Sequence, residues 1–250
     1  MTKTNTTIWR ALLSDEDLSL HQQWIESGFQ DSEKLVVQDE NLSEAIVPGI
    51  NLTSSEFTDC DFRKSNFITG TLVNIHLKNC LFDDSMMNMC DFDEAIIEDC
   101  SFSKAYLQTN HFIKSKVNRG NWNDSDLHRS NWTEAQVADV CFQNVRFQGA
   151  KFVNARFINC DFREANLVAA TASYAVFENC DFRYADINDF VFRNTLFYKC
   201  GFYGCKNVPT LEGDCKIIDA DMSEEFDGSK IINSDTLFQN WGIEKQAISR

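Results

Sequence analysis

An all-β solenoid of square, twenty-residue coils is the fold this chain predicts, and three observations lead to it. From Leu42 to Phe202 every fifth residue is large and apolar except Ala172, through 33 consecutive pentads with no slip of phase. Two residues before each of these anchors, 26 of the 33 positions hold Gly, Ala, Ser, Thr or Cys. A period of twenty is superimposed on the period of five. Cys60, Cys80 and Cys100 share a column that Cys160, Cys180 and Cys200 continue, and Phe62, Phe82, Phe102, Phe142, Phe162, Phe182 and Phe202 share another with Leu42 and Trp122. Five matches neither the helical 3.6 nor the strand's 2, so the backbone must turn once per pentad and return each anchor to a common interior. Repetition of this kind marks a solenoid.

The elements follow in chain order. Residues 1–39 read as an N-terminal helical cap: Ser14-Asp15-Glu16-Asp17 opens a helix, Leu18, His21, Trp24 and Ile25 recur at helical spacing, and Gly28 can stop it. Residues 40–205 form the solenoid. Each pentad gives the core one bulky and one compact side chain, and four pentads close one square coil. About eight coils at an inter-strand spacing of about 4.8 Å give a rod about 40 Å long, too thin for an internal cavity. The only two prolines, Pro48 and Pro209, stand close to its limits. After Cys205 the period is lost. Residues 206–250, with Ile217, Ile218, Met222, Phe226, Leu237, Phe238, Trp241 and Ile243, then read as a C-terminal cap or dimerisation segment, because an uncovered coil edge invites end-to-end growth.

Cys60-Asp61-Phe62-Arg63, Ser65-Asn66-Phe67, Cys90-Asp91-Phe92, Cys160-Asp161-Phe162-Arg163, Ala165-Asn166-Leu167 and Cys180-Asp181-Phe182-Arg183 share one order: a small residue, then Asp or Asn, then Phe or Leu. In this the chain resembles the pentapeptide-repeat family over residues 40 to 205. The Asp/Asn slot is loosely kept, as at Leu81, Ile96, Tyr106, Val176 and Val191. The resemblance implies a right-handed quadrilateral β-helix, and a helix-plus-Trp segment like Leu20-His21-Gln22-Gln23-Trp24 precedes many such domains. It also implies a competing function. Topoisomerase-protecting members mimic B-DNA in width and charge and confer quinolone resistance by competing for the DNA-binding saddle of gyrase.

Composition narrows the function class. No apolar run follows the first basic residue and no stretch is long enough to span a membrane, so the expected compartment is the cytoplasm. Seven of the ten cysteines occupy the small interior slot where Ala and Ser also occur, which reads as reduced packing thiols rather than disulfides. Parallel thiols in a column do not converge on a metal. Of the four histidines, His76 and His111 sit in the outward Asp/Asn slot, His128 follows an anchor and His21 belongs to the cap helix. No phosphate loop, HExxH pair or GxSxG elbow is present. The chain is therefore expected to be no enzyme, with no catalytic residue, cofactor or metal ligand.

Surface charge is what remains. The net charge of −15 is unevenly spread: residues 40–100 carry 12 acids against 3 bases, and residues 101–160 carry 4 against 8. The coil from Leu81 to Cys100 holds Asp83, Asp84, Asp91, Asp93, Glu94, Glu98 and Asp99 without one Lys or Arg. This acidic belt is the candidate partner-binding site. The expected function is a non-catalytic rod presenting flat charged faces to a protein partner of unknown identity in a bacterial cell, with no direct nucleic-acid or membrane binding. Gyrase is the partner on the competing reading, and an immunity or secretion-associated role is a third. Phe190, Tyr198 and Tyr203 mark the candidate cap or dimer interface at the last coil, leaving a monomer or an end-to-end homodimer.

Overall fold

The computed structural model describes residues 15–30 and 33–243; Ser14, the expected start of the cap helix, lies outside them. Among the described residues, one helix, α1 (Asp15–Glu26), precedes a coil of parallel strands. Ten short strands pair in a single sheet from β1 (Val36–Gln38) through β2 (Glu56–Thr58) and β3 (His76–Lys78) to β13 (Lys216–Ile218). Successive partners lie twenty residues apart, as Val37↔Phe57, Phe57↔Leu77 and Leu77↔Ile97. Ten strands at this interval make about nine turns, one more than expected, because pairing begins before residue 40 and continues past 205.

The ladder explains why five residues suffice per side. Each anchor N–H donates to a carbonyl in the next coil, Leu42 to Asp61 and Phe82 to Ser101, both at 2.7 Å. The residue before the anchor donates backwards, Asp61 to Glu40 at 2.9 Å and Leu81 to Cys60 at 3.0 Å. Two residues after each anchor, the chain turns a corner. From Asp39 to Gly204 every fifth residue has φ between 49° and 71°, the left-handed region. An L-residue with a Cβ is disfavoured there, and Asp, Asn and Gly least so. Those three types hold 17 of the 34 corners.

Rings stack along the interior. Phe62, Phe82 and Phe102 lie 4.7 Å apart and nearly parallel, and the column runs on through Trp122, Phe142, Phe162, Phe182 and Phe202. Ala172 is the undersized anchor, and the Phe190 ring fills its space. That ring packs 6.1 Å from Phe152, which lies two coils back in the Ala172 column, and 4.7 Å from Phe192. An oversized residue in a small slot thus compensates a small residue in an anchor slot.

The period does not end at Cys205. Val191 pairs with Thr210, one residue short of twenty, whereas Leu196 pairs with Lys216 on frame. On frame, residue 209 would be a corner, and proline cannot adopt positive φ. The left-handed conformation moves to Asn207 (φ 63) and Gly213 (φ 66) and returns on frame at Asp219 (φ 53). A Cβ on Gly213 would stand 2.3 Å from Asn194 Oδ1. Beyond this coil, β14 (Ala220–Asp221) pairs antiparallel with β15 (Ile231–Ile232), and α2 (Ser234–Asn240) buries Leu237 and Phe238. The Trp241 ring meets Phe202 edge-on at 5.6 Å.

At the other end α1 packs on the first coil through His21, which is buried, not exposed as a solvated helix face would have it. Its Nδ1 accepts the Leu35 N–H at 3.1 Å. Burial pushes its pKa below the ordinary value, so the ring is held neutral.

Candidate protein-binding surface

Four faces surround the core, and each is named by its anchors: Phe62, Phe82 and Phe102 on the first; Phe67, Met87 and Leu107 on the second; Leu72, Phe92 and Phe112 on the third; Phe57, Leu77 and Ile97 on the fourth. The seven acids of the Leu81–Cys100 coil do not share a face. Asp83 and Asp84 lie on the first face and its corner, Asp91, Asp93 and Glu94 on the third, Glu98 and Asp99 on the fourth. A flat partner on one face meets at most three of these groups at once. The second face interrupts the belt with Met86 and Met89.

Several belt acids also serve the scaffold. Where Asp or Asn stands just before the anchor, the amide after the anchor donates to it: Arg63 to Asp61 and Thr53 to Asn51, both at 3.0 Å, and Arg163 to Asp161 at 2.9 Å. The side chain thereby closes a local turn. At four slots held by another residue, a carboxylate or amide side chain twenty residues before the donating amide takes over. With Ser101 in the slot, Ser103 N–H donates to Asp83 at 2.9 Å. With Tyr106, Gln108 donates to Asn88 at 3.0 Å. With His111, Ile113 donates to Asp93 at 2.8 Å, and with Cys141, Gln143 donates to Asn123 at 3.0 Å. This relay accounts for the slot at Tyr106 but not at Leu81, Ile96, Val176 or Val191, and it gives Asp83 and Asp93 a structural task. Burial raises the Asp93 pKa. Of the others, Asp99 pairs with Arg119 through two bonds of 2.6 and 2.7 Å, Glu98 lies 3.5 Å from His76, and Asp84 and Glu94 are exposed.

Asp91, Asp93 and His111 bring their ligand atoms within 4.8 Å of one another on the third face. Both carboxylates already accept a backbone amide, Asp91 from Asp93 at 3.0 Å. The set closes the relay just described.

The aromatic residues assigned to the last coil are also separated. Phe190 is a core residue. Tyr198 is half-buried on the fourth face with the Lys199 ammonium 5.1 Å from its ring, and Tyr203 meets Tyr184 on the first face at 5.7 Å. The end of the coil is covered by the C-terminal segment, where Phe226 lies under the Arg183 guanidinium at 5.8 Å.

The cysteines are free thiols. Every column thiol but Cys100 points at the carbonyl of the anchor 23 residues earlier, Cys80 to Phe57 at 3.4 Å and Cys200 to Phe177 at 3.4 Å. The contact with Cys100 and burial push the Cys80 pKa up to about 12, and burial, with the Asp91 charge adding to it, brings Cys90 to about 12. Recesses in the surface lie at the two ends, one beside α1 and Leu35–Gln38, the other around Ile217 and Ile232. Among the described residues no helix is long and apolar enough to cross a membrane.

Comparison with known proteins agrees with this geometry. The family model for pentapeptide repeats matches eight copies, over residues 41–69, 141–173 and 160–197. HetL, a pentapeptide-repeat protein involved in heterocyst differentiation regulation in the cyanobacterium Nostoc sp. strain PCC 7120, is 17% identical, with a TM-score of 0.42 over 77% of this chain and 92% of that one. Full-length QnrB1, a plasmid-mediated fluoroquinolone resistance protein, is 15% identical, with a TM-score of 0.47 over 72% of this chain and 92% of that one. No curated protein matches in sequence. The five-residue frame, the paired coils and the matched repeats identify this chain as a member of the pentapeptide-repeat family.

Proposed function

We propose that the protein is a non-catalytic binding rod that holds a protein partner in a bacterial cell against its outer faces. One observation carries this reading. The interior is filled by contiguous rings from Phe57 to Phe202, while the outward side chains stand on a backbone fixed by ladder bonds in every coil. Such a scaffold has no substrate chamber to offer, and it loses little conformational freedom when a partner docks. The surface histidines stand beside carboxylates, His76 by Glu98, His111 by Asp91 and Asp93, and His128 by Asp126 at 2.9 Å.

Affinity capture with cross-linking from bacterial lysate tests the reading. A stoichiometric partner that survives washing is the expected result, and repeated capture of nothing above background overturns it. A DNA-mimicking role calls for acid along the whole length, which the 8 bases against 4 acids of residues 101–160 do not supply. Protection of gyrase supercoiling from a quinolone would establish that role instead.

A further inference from the structure

The second face of the acidic half carries no charge. From Ile46 to Asn110, four successive pentads on this side hold no Asp, Glu, Lys or Arg. Exposed apolar groups gather there: Met86 is 43% exposed, Met89 58% and Tyr106 47%, with Ile46 at the far end. Met86 and Tyr106 are bridge partners in adjacent coils, and Met89 stands at the corner of the Met86 coil, beyond half-buried Asn88. Isolated exposed apolar residues need no explanation, but a strip on one flat face does. Methionine is flexible and polarizable, suited to a partner side chain of irregular shape.

The edges of the strip set the partner's chemistry. On the third-face edge, Asp91 and Asp93 follow Met89, with no lysine or arginine in that coil. On the first-face edge, Asp84 stands between Lys64 and Lys104 of the neighbouring coils. The acids without a lysine beside them in that column are therefore Asp91 and Asp93 of the third-face edge, both in one coil. We infer that this strip docks a cationic amphipathic segment of a partner protein, its apolar side chains on Met86, Met89 and Tyr106 and its Lys or Arg groups toward Asp91 and Asp93. The inference rests on the protein-binding reading above and specifies where that binding occurs.

The test uses the full chain and a fluorescein-labelled short amphipathic Lys/Leu peptide, read by anisotropy, beside a Lys/Ser peptide and a Glu/Leu peptide. Two variants spare the fold. Met86→Asn with Met89→Asn follows Asn66 in the same column and Asn74 at another corner. Asp91→Asn with Asp93→Asn keeps an oxygen for each backbone amide while removing charge. The parent should bind the Lys/Leu peptide and neither control. The methionine pair should weaken binding about tenfold or more, and the aspartate pair should weaken it and flatten its salt dependence. Equal binding by parent and methionine variant, equal binding of the Lys/Ser peptide, or no binding at all would overturn the inference. So would light scattering showing that a second copy occupies the strip. A lysate partner held equally by parent and methionine variant would remove this face and leave the rod reading standing.

Discussion

Replacing Asp93 with alanine removes the only side-chain acceptor seen for the Ile113 amide, a bond of 2.8 Å between successive coils. That amide depends on the preceding coil because His111 occupies the slot from which Asp or Asn would otherwise accept it. A buried donor left unpaired costs about 1–3 kcal/mol, and because Asp93 is half-buried, with water able to reach the gap, the lower end applies, about 1 kcal/mol. For a chain of this length that lowers the melting temperature by about 2–4 °C. Asp93→Asn retains an acceptor and should stay near the parent. The decisive variant is Asp93→Ala combined with His111→Asn, which restores the acceptor within the same pentad as the amide. Urea denaturation followed by far-UV circular dichroism should show the second change recovering most of the loss. If the double variant is no more stable than Asp93→Ala, the relay is wrong and the two positions are independent.

Three further outcomes follow from the packing and the titrating groups. Ala172→Phe overpacks the core and should cost about 1–3 kcal/mol, and Phe190→Ala opens a cavity at about 3–5 kcal/mol. Made together they restore the regular pattern and should approach the parent, whereas additive losses in denaturant would show that the Phe190 ring does not fill the Ala172 space. His21 has a folded-state pKa below its ordinary value of about 6.5, so folding favours the neutral ring. Its contribution is complete above about pH 6.5 and is lost as pH falls below that, at no more than about 1.4 kcal/mol per pH unit. His21→Gln should flatten the stability profile between pH 7 and 5, and an unchanged slope would count against a buried neutral imidazole. Thiol titration of the native protein with Ellman's reagent should leave Cys60, Cys80, Cys100, Cys160, Cys180 and Cys200 unmodified until denaturant is added, since all are buried; rapid native modification of these six would contradict the closed columns.

Much of the architecture was legible because a period of five admits one arrangement of inward and outward residues, and the columns of rings and thiols appear where the twenty-residue period puts them. The corners were legible too, through the Asp, Asn and Gly that hold half of the left-handed positions, but that signal is diluted by Lys, Glu and Tyr at the others. The resumption of the frame after Cys205 is hidden because Pro209 displaces one corner and a single residue restores it later. The Ala172 and Phe190 exchange is visible only when two slots in different coils are considered together. Assigning the belt acids to faces needs only position modulo twenty. Knowing that Asp83 and Asp93 close amides of the next coil needs coordinates, because the same side chain in another pentad would be solvated. The spacing of α1 puts His21 on the side of Leu18, Trp24 and Ile25, but that its Nδ1 accepts the Leu35 amide needs coordinates.

The ladder bonds that join successive coils run along the rod rather than across it, and this sets how the molecule gives way under load. Tension applied between its ends acts on these bonds one coil at a time, peeling the terminal turn while the rest stays intact. Each released turn frees twenty residues, about 60 Å of extended chain, so extension should proceed in regular steps of that size. The segments over the first and last coils are then more than covers against aggregation. They are latches, and the force needed to begin unwinding is set by how firmly His21 at one end and Trp241 at the other are seated.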